Sequence, residues 1–261
     1  MNTLKKMASL IDSIRAPADR HGFNLVAAVS AQRYGASVTG GDSIIRSLSD
    51  RARSIIVIGN GGGALWAAFQ AHCDSHPGWR QRENPLDDFT RVLIEERIIP
   101  PLRSRGAEVV PVYPFISQSP NLNFMELGRI SGLGGPSILG VLVHPVYGPW
   151  IAFRAALLVD TEVDEPGPAL GFDPCPRCAT RACIPACPAA AVAYPAGWEI
   201  PRCVRYRVEA EPDCSDGCHA RLECVLGPQH RYPGPELAYH QKRALTTMRP
   251  YYQTHLKRPS G

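Results

Sequence analysis

The chain of 261 residues carries 28 basic and 24 acidic side chains, a net charge of +4, and 44% hydrophobic residues. That length suits one large domain, or a medium domain with a small one, and is enough to bury a sizeable core. The mild charge permits an acidic ligand or a nucleic acid and argues for neither. Asp12, Arg15, Asp19 and Arg20 interrupt every apolar run in the first twenty residues, which excludes a signal peptide or membrane span there. A cytoplasmic protein that does not engage a membrane is expected.

Leu4, Met7, Leu10, Ile11 and Ile14 recur at helical spacing, and Pro17 is expected to disturb that helix ahead of Gly22. FNLVAAVSA (23–31) is a short apolar run suited to a strand. SIIVIG (54–59) is a stronger one, closed by glycines and followed by the helical ALWAAFQAHC. Asn84-Pro85 with Asp87 and Asp88 predicts a helix start, because side-chain oxygens and negative charge suit unpaired N-terminal amides. Leu86, Phe89 and Leu93 supply its buried stripe. Pro100 and Pro101 are expected to kink or end this helix, and Gly106 precedes a third strand, AEVVPVYPF. The glycine-punctuated stretch 128–160 predicts paired strands, a hairpin in the core sheet joined around Pro145 to Pro149. Alternating helices and strands favour an α/β domain over residues 1–165. The acidic, then proline- and glycine-rich text at 161–172 marks a boundary, and 166–261 forms a small cysteine-rich domain.

Eight of the nine cysteines lie between Cys175 and Cys224; only Cys73 falls earlier, on a predicted helix, and reads as an ordinary buried thiol. In a reducing compartment a disulfide framework is not expected. Cys175, Cys178, Cys183 and Cys187 have gaps of two, four and three residues, with Pro188 after the last. A bacterial ferredoxin run has gaps of two, two and three before its Cys-Pro, and its fourth cysteine crosses to the partner cluster. A second group is therefore required, and Cys203, Cys214, Cys218 and Cys224 supply it. By the same crossing logic Cys175, Cys178, Cys183 and Cys224 hold one [4Fe-4S] cluster, and Cys187, Cys203, Cys214 and Cys218 the other. The competing reading is a pair of four-cysteine zinc sites, which favour two Cys-x-x-Cys knuckles about 15 to 20 residues apart over a crowded run ending in Cys-Pro. Clusters would also give bulk to a segment poor in apolar residues.

SIIVIGNGGGALW offers Gly59, Gly61 and Ala64 in loose G-x-G-x-x-A spacing, but no acidic residue ends the next strand to hold a ribose. A nicotinamide site is not expected. The glycines read instead as a close turn, or as backbone that lets some other flat cofactor approach.

The order of an α/β domain (HGFNLVAAVSA, ARSIIVIG), the segment GRISGLGGPSILGVLVHPVYGPWIAFRAALLVD, and a double-cluster module ending in YRVEAEPDCSDGCHARLEC resembles the epoxyqueuosine reductase and reductive dehalogenase group of cobalamin-dependent iron-sulfur proteins. The resemblance implies a nitroreductase-like α+β core holding a corrinoid, with electrons passing from two clusters to cobalt and on to a substrate. It places corrinoid contacts at Gly134, Gly135, Ser137 and the Tyr147-Gly148 turn, where glycines let backbone approach a planar ring. Arg129 and His144 are candidates to meet an acidic group or the cofactor's nucleotide tail. In epoxyqueuosine reductases an aspartate is the suspected proton donor. Here SQSPN puts Gln118 at that catalytic position, and an amide cannot donate an acidic proton.

These expectations describe a redox protein that takes electrons from an external low-potential donor and reduces a small molecule or the corrinoid itself. Two alternatives remain: a ferredoxin-type carrier without cobalamin, and a corrinoid-trafficking protein. The terminal HQKRALTTMRPYYQTHLKRPSG could touch nucleic-acid phosphates through Lys242, Arg243, Arg249, Lys257 and Arg258, though such a run is more often a solvated helix face.

Overall fold

A computed structural model describes residues 2–210 and 213–257, with side chains from Leu10 onward. The expected stripe positions Leu4 and Met7, and the terminal Arg258, lie outside the described side chains. The chain forms two compact units: Met1–Gly135 with Ile151–Phe172, and Pro136–Trp150 with Asp173–Gly261. The glycine-rich segment thus belongs to the second unit from Pro136 to Trp150.

The first unit is built on a four-stranded antiparallel sheet in the order β1-β2-β4-β3, from β1 (Leu25–Ser30), β2 (Ser54–Gly61), β3 (Val109–Val112) and β4 (Ile151–Val159). Helices connect the strands, so helix and sheet are mixed throughout. β2 lies inside the sheet and is buried along all eight residues, which is why its sequence reads as a continuous apolar run instead of an alternating one. β3 is an edge strand, and this is where Pro111, which has no amide hydrogen to give a ladder, is tolerated. Leu10, Ile11, Ile14 and Ala18 of α1 (Asn2–Arg20) are buried, as are Leu65, Trp66, Phe69 and Cys73 of α4 (Ala64–Ser75). Each fully buried isoleucine of β2 is worth roughly 2 kcal/mol of transfer free energy.

Three sequence expectations are corrected. α1 runs past Pro17 to Arg20; the ring sits in the closing turn, where it costs one hydrogen bond and breaks nothing beyond. Pro100 and Pro101 do not end a helix. α5 (Pro85–Leu93) passes into a π turn (Ile94–Ile98), and α6 (Ile99–Arg103) then starts with the prolines in its first turn, where a missing amide hydrogen is harmless. The hairpin expected over 128–160 does not form. α7 (Phe124–Ile130) ends there, residues 131–150 run as turns with an isolated bridge between His144 and Gly148, and only β4 is a strand. Glycines at positive φ, Gly132 at 70° and Gly140 at 73°, turn the backbone where the second strand would have run.

In the second unit a short hairpin, β5 (Val192–Ala193) with β6 (Gly197–Trp198), precedes α8 (Ile200–Glu209), α9 (His219–Leu222) and α10 (Gly234–Tyr251). One of its buried clusters consists of Ile138, Val192, Ala220 and Cys183, with Cys175, Cys187 and Cys218 packed against it beside Leu139 and Ile184. Sulfur takes the place that branched aliphatics fill in an ordinary core.

Two glycines with the same backbone angle separate conformational strain from packing. Gly22 and Gly106 both have φ of 84°. A Cβ on Gly106 meets nothing within 4 Å, whereas one on Gly22 would lie 2.5 Å from the backbone nitrogen of Leu65. Gly106→Ala should cost about 1–2 kcal/mol, the left-handed penalty alone, and Gly22→Ala about 2 kcal/mol more, as read by denaturant unfolding. Equal costs would show that the approach of residue 22 to α4 does not constrain the fold.

Candidate functional site

The eight clustered cysteines all lie in the second unit. Cys175 opens a 3-10 turn (Cys175–Arg177), Cys178 follows it, and Cys183 and Cys187 lie in the turns leading to β5. Cys203 sits in the first turn of α8. Cys214 and Cys218 flank the loop before α9, with Cys218 as its N-cap, and Cys224 follows α9. Arg221 anchors this last stretch. Its guanidinium lies 4.7 Å from the ring of Trp150 and 5.0 Å from that of Tyr232, and Nε donates to the Pro149 carbonyl at 3.1 Å. The 136–150 segment is therefore the support on which α9 and Cys224 are set.

The thiols divide into two sets of four by their mutual electrostatics. Burial pushes the Cys183 thiol up, and the charges of Cys224, Cys175 and Cys178 add to that. Cys224 is raised by burial too, with Cys175 and Cys178 contributing. In the other set, burial raises Cys203, and Cys218 and Cys187 reinforce it; Cys214 is pushed up to about 11 by burial, then by Cys218 and Cys203. Cys178 moves the other way: the Arg181 backbone N–H, aided by Thr180, stabilises its thiolate. The Ala191 N–H donates to Cys187 Sγ at 3.4 Å. The first quartet lines a cavity of about 410 Å³ together with Ser137 and a largely apolar wall that includes Ile138.

This donor set fits a polynuclear, sulfur-ligated centre. Thiolates held together repel one another, and a cationic centre among them would offset that repulsion. Amide hydrogens pointing at sulfur are the outer contacts that tune such centres. Among the described residues no three His, Cys, Asp or Glu side chains are gathered tightly enough to hold a single metal ion. Cys73 stands apart, buried on α4, its thiol raised by burial.

The residues assigned to a corrinoid are placed as follows. Gly134 and Gly135 close the first stretch of unit one, and Ser137, Tyr147 and Gly148 belong to unit two. A Cβ at Gly135 would run into the Phe172 carbonyl, and one at Gly148 into that of Leu226, so the chain's own backbone uses both close approaches. Ser137 Oγ donates to the Val141 carbonyl at 2.6 Å and accepts from the Leu139 amide at 3.2 Å. Gln118 is half-buried in the loop between β3 and α7. Arg129 makes a bidentate pair with Glu126 at 2.8 and 2.6 Å. At Gly59 a Cβ would lie 2.7 Å from the Ala152 carbonyl, so this member of the glycine cluster serves strand packing.

No family model matches the chain, and no curated protein matches it in sequence. Solved structures do match. The C. elegans B12-trafficking protein CblC, a human MMACHC homologue, superposes with a TM-score of 0.57 at 14% identity, covering 98% of this chain and 100% of its own. The catabolic reductive dehalogenase NpRdhA, in complex with 3-bromo-4-hydroxybenzoic acid, gives 0.51 at 15% identity over 97% of this chain and 40% of its own. Epoxyqueuosine reductase with a modified tRNA-Tyr stem loop gives 0.50 at 15% identity over 89% and 69%. The chain shares its fold with these proteins. No helix among the described residues is long and apolar enough to cross a membrane.

Sequence reasoning missed the role of His144. It is 3% exposed, and its Nδ1 accepts from the amides of Val146 at 3.1 Å and Tyr147 at 3.3 Å, so the neutral ring organises the 144–148 turn. Burial, with the charge of His230 second, lowers its pKa to about 4. Protonation needs the same nitrogen lone pair that the two amides occupy. The unfolded chain takes up this proton near pH 6.5 and the folded one only near 4, so stability is present above pH 6.5 and lost as pH falls toward 4. The loss is on the order of 3 kcal/mol. Melting temperatures from pH 7.5 to 4.5 should fall more steeply for the wild type than for His144→Asn, and parallel curves would contradict a neutral turn-forming ring.

Proposed function

We propose that this chain is a corrinoid-handling redox protein in which two [4Fe-4S] clusters are held by Cys175, Cys178, Cys183 and Cys224, and by Cys187, Cys203, Cys214 and Cys218. The observation that carries the reading is the gathering of eight free cysteines in one compact unit, four of which, Cys175, Cys178, Cys183 and Cys224, line one cavity. When bound, such clusters supply single electrons at low potential from an external donor, for reduction of a corrinoid associated with the α+β core. The chain's own part is to hold the sulfurs. The Arg181, Thr180 and Ala191 amides stabilise thiolate charge, and Arg221 fixes the segment that carries the last cysteine. The corrinoid part is supported by the fold: the B12-trafficking protein CblC superposes over 98% of this chain and 100% of its own. Gln118 favours reduction or processing of the corrinoid itself over base reduction on tRNA, because its amide cannot supply the acidic proton expected at that position. The cytoplasmic setting and a nucleic-acid role for Lys242, Arg243, Arg249 and Lys257 remain expectations; Lys242 and Arg249 line a cavity of about 450 Å³ with Arg207, Cys214 and two aspartates.

Anaerobically purified protein should contain about eight irons and eight sulfides per chain. Cys183→Ala and Cys203→Ala should each lose about half of the iron, while Cys73→Ala loses none. Zinc in place of iron, or equal loss from Cys73→Ala, contradicts the assignment. Adding cobalamin to the cluster-loaded protein should shift the visible spectrum and raise the melting temperature. Full iron with no response to cobalamin leaves an electron carrier.

A further inference from the structure

Arg154 is the extra residue of a β-bulge in the first unit's sheet. Ile58 pairs with Ala155 and Gly59 with Phe153, so the position between them on β4 has no partner on β2. A bulge re-aims one side chain out of the regular alternation of a strand. The side chain re-aimed here is a guanidinium only 6% exposed. Its Nε donates to Oδ1 of Asn60 at 2.7 Å, and Asn60, fully buried, is held in turn by its amide donating to the Gly62 carbonyl at 3.3 Å. The arginine's Nη2 is buried with no acceptor among the described residues.

A guanidinium is a permanent cation, and Asn60 is neutral, so this bond leaves the charge uncompensated. Burying such a group without an anion costs far more than burying an apolar side chain of similar size, and for stability alone methionine would serve better. The adjoining backbone is the run Gly59 to Gly63, in which Asn60 is the one side chain beyond hydrogen; Gly59 to Gly61 are paired with β4, and Asn24 takes both peptide groups of Gly61. Ile151 to Phe153, leading into the bulge, are only partly buried, which brings this end of β4 near the surface. The N–H donors of Nη2, with Nε already given to Asn60, suit an anionic oxygen of a carboxylate or phosphate.

We infer that Arg154 is an anion-binding residue, receiving the carboxylate or phosphate of a small ligand at the glycine-rich end of β2. The site uses none of the thiols and stands whether or not the clusters and corrinoid are confirmed.

The test is thermal unfolding of the full chain as purified, titrated with inorganic phosphate and separately with acetate, at constant ionic strength set with potassium chloride. At about tenfold over its Kd the bound anion should raise the wild-type Tm by about 3 °C. Arg154→Met should lose this response, while its Tm without anion equals or exceeds that of the wild type. Arg154→Lys, which keeps the charge but lacks the fork, should weaken the anion by about tenfold. Response to phosphate alone or acetate alone assigns the ligand class. No stabilisation of the wild type by either anion overturns the inference. So does an equal response from Arg154→Met, or a large fall in its Tm without anion, which would make the arginine a structural residue.

Discussion

Four thiolates held near one another repel, and much of the second unit follows from that constraint. Burial first, and then the charges of neighbouring thiols, push Cys183, Cys203, Cys214 and Cys224 above their ordinary titration range. Beside Trp150, Val143, Val204 and Tyr232, which are buried in the same unit, one buried cluster is only Ile138, Val192, Ala220 and Cys183 with further cysteines packed against it, so sulfur fills much of that part of the core. Under the proposed assignment a cationic iron-sulfide core would offset part of the charge of each quartet and fill the space between its sulfurs.

The first unit is held by ordinary means. An antiparallel sheet buries β2 along its whole length, α1 and α4 bring apolar faces to the core, and prolines sit where their lack of an amide hydrogen does little harm. Against that background the bulge at Arg154 is out of keeping with the rest: a cation in an apolar sheet, oriented by a buried asparagine. Departures of this kind are where a fold gives up local stability for something it binds.

The sequence made some of this legible because some signals are local. The crowding of eight cysteines between 175 and 224 marks one local structure, and all eight do fall in one compact unit. An eight-residue apolar run reveals β2, since a strand covered on both faces needs no polar alternation. Asn84-Pro85 with two aspartates marks the start of α5, although the asparagine side chain makes no capping bond there. What was not legible depends on distant partners. Nothing near residues 136–150 in the sequence says that this segment packs with residues 173–261, because its contacts are with Arg221, Leu226 and Trp198. The turn-forming role of His144 was hidden for the same reason, since it depends on the fold that buries the ring and brings the Val146 and Tyr147 amides to donate to its Nδ1. The register shift that singles out Arg154 exists only once β2 and β4 are paired.

The account stands or falls on what the two quartets hold. Native mass spectrometry of anaerobically purified protein tests this most directly, since it weighs the intact chain with its contents. The predicted spectrum carries the added mass of two four-iron, four-sulfide units, released in two separate steps as collision energy rises. A chain carrying two bare zinc ions, or one lighter by the hydrogens that disulfide formation removes, would contradict it.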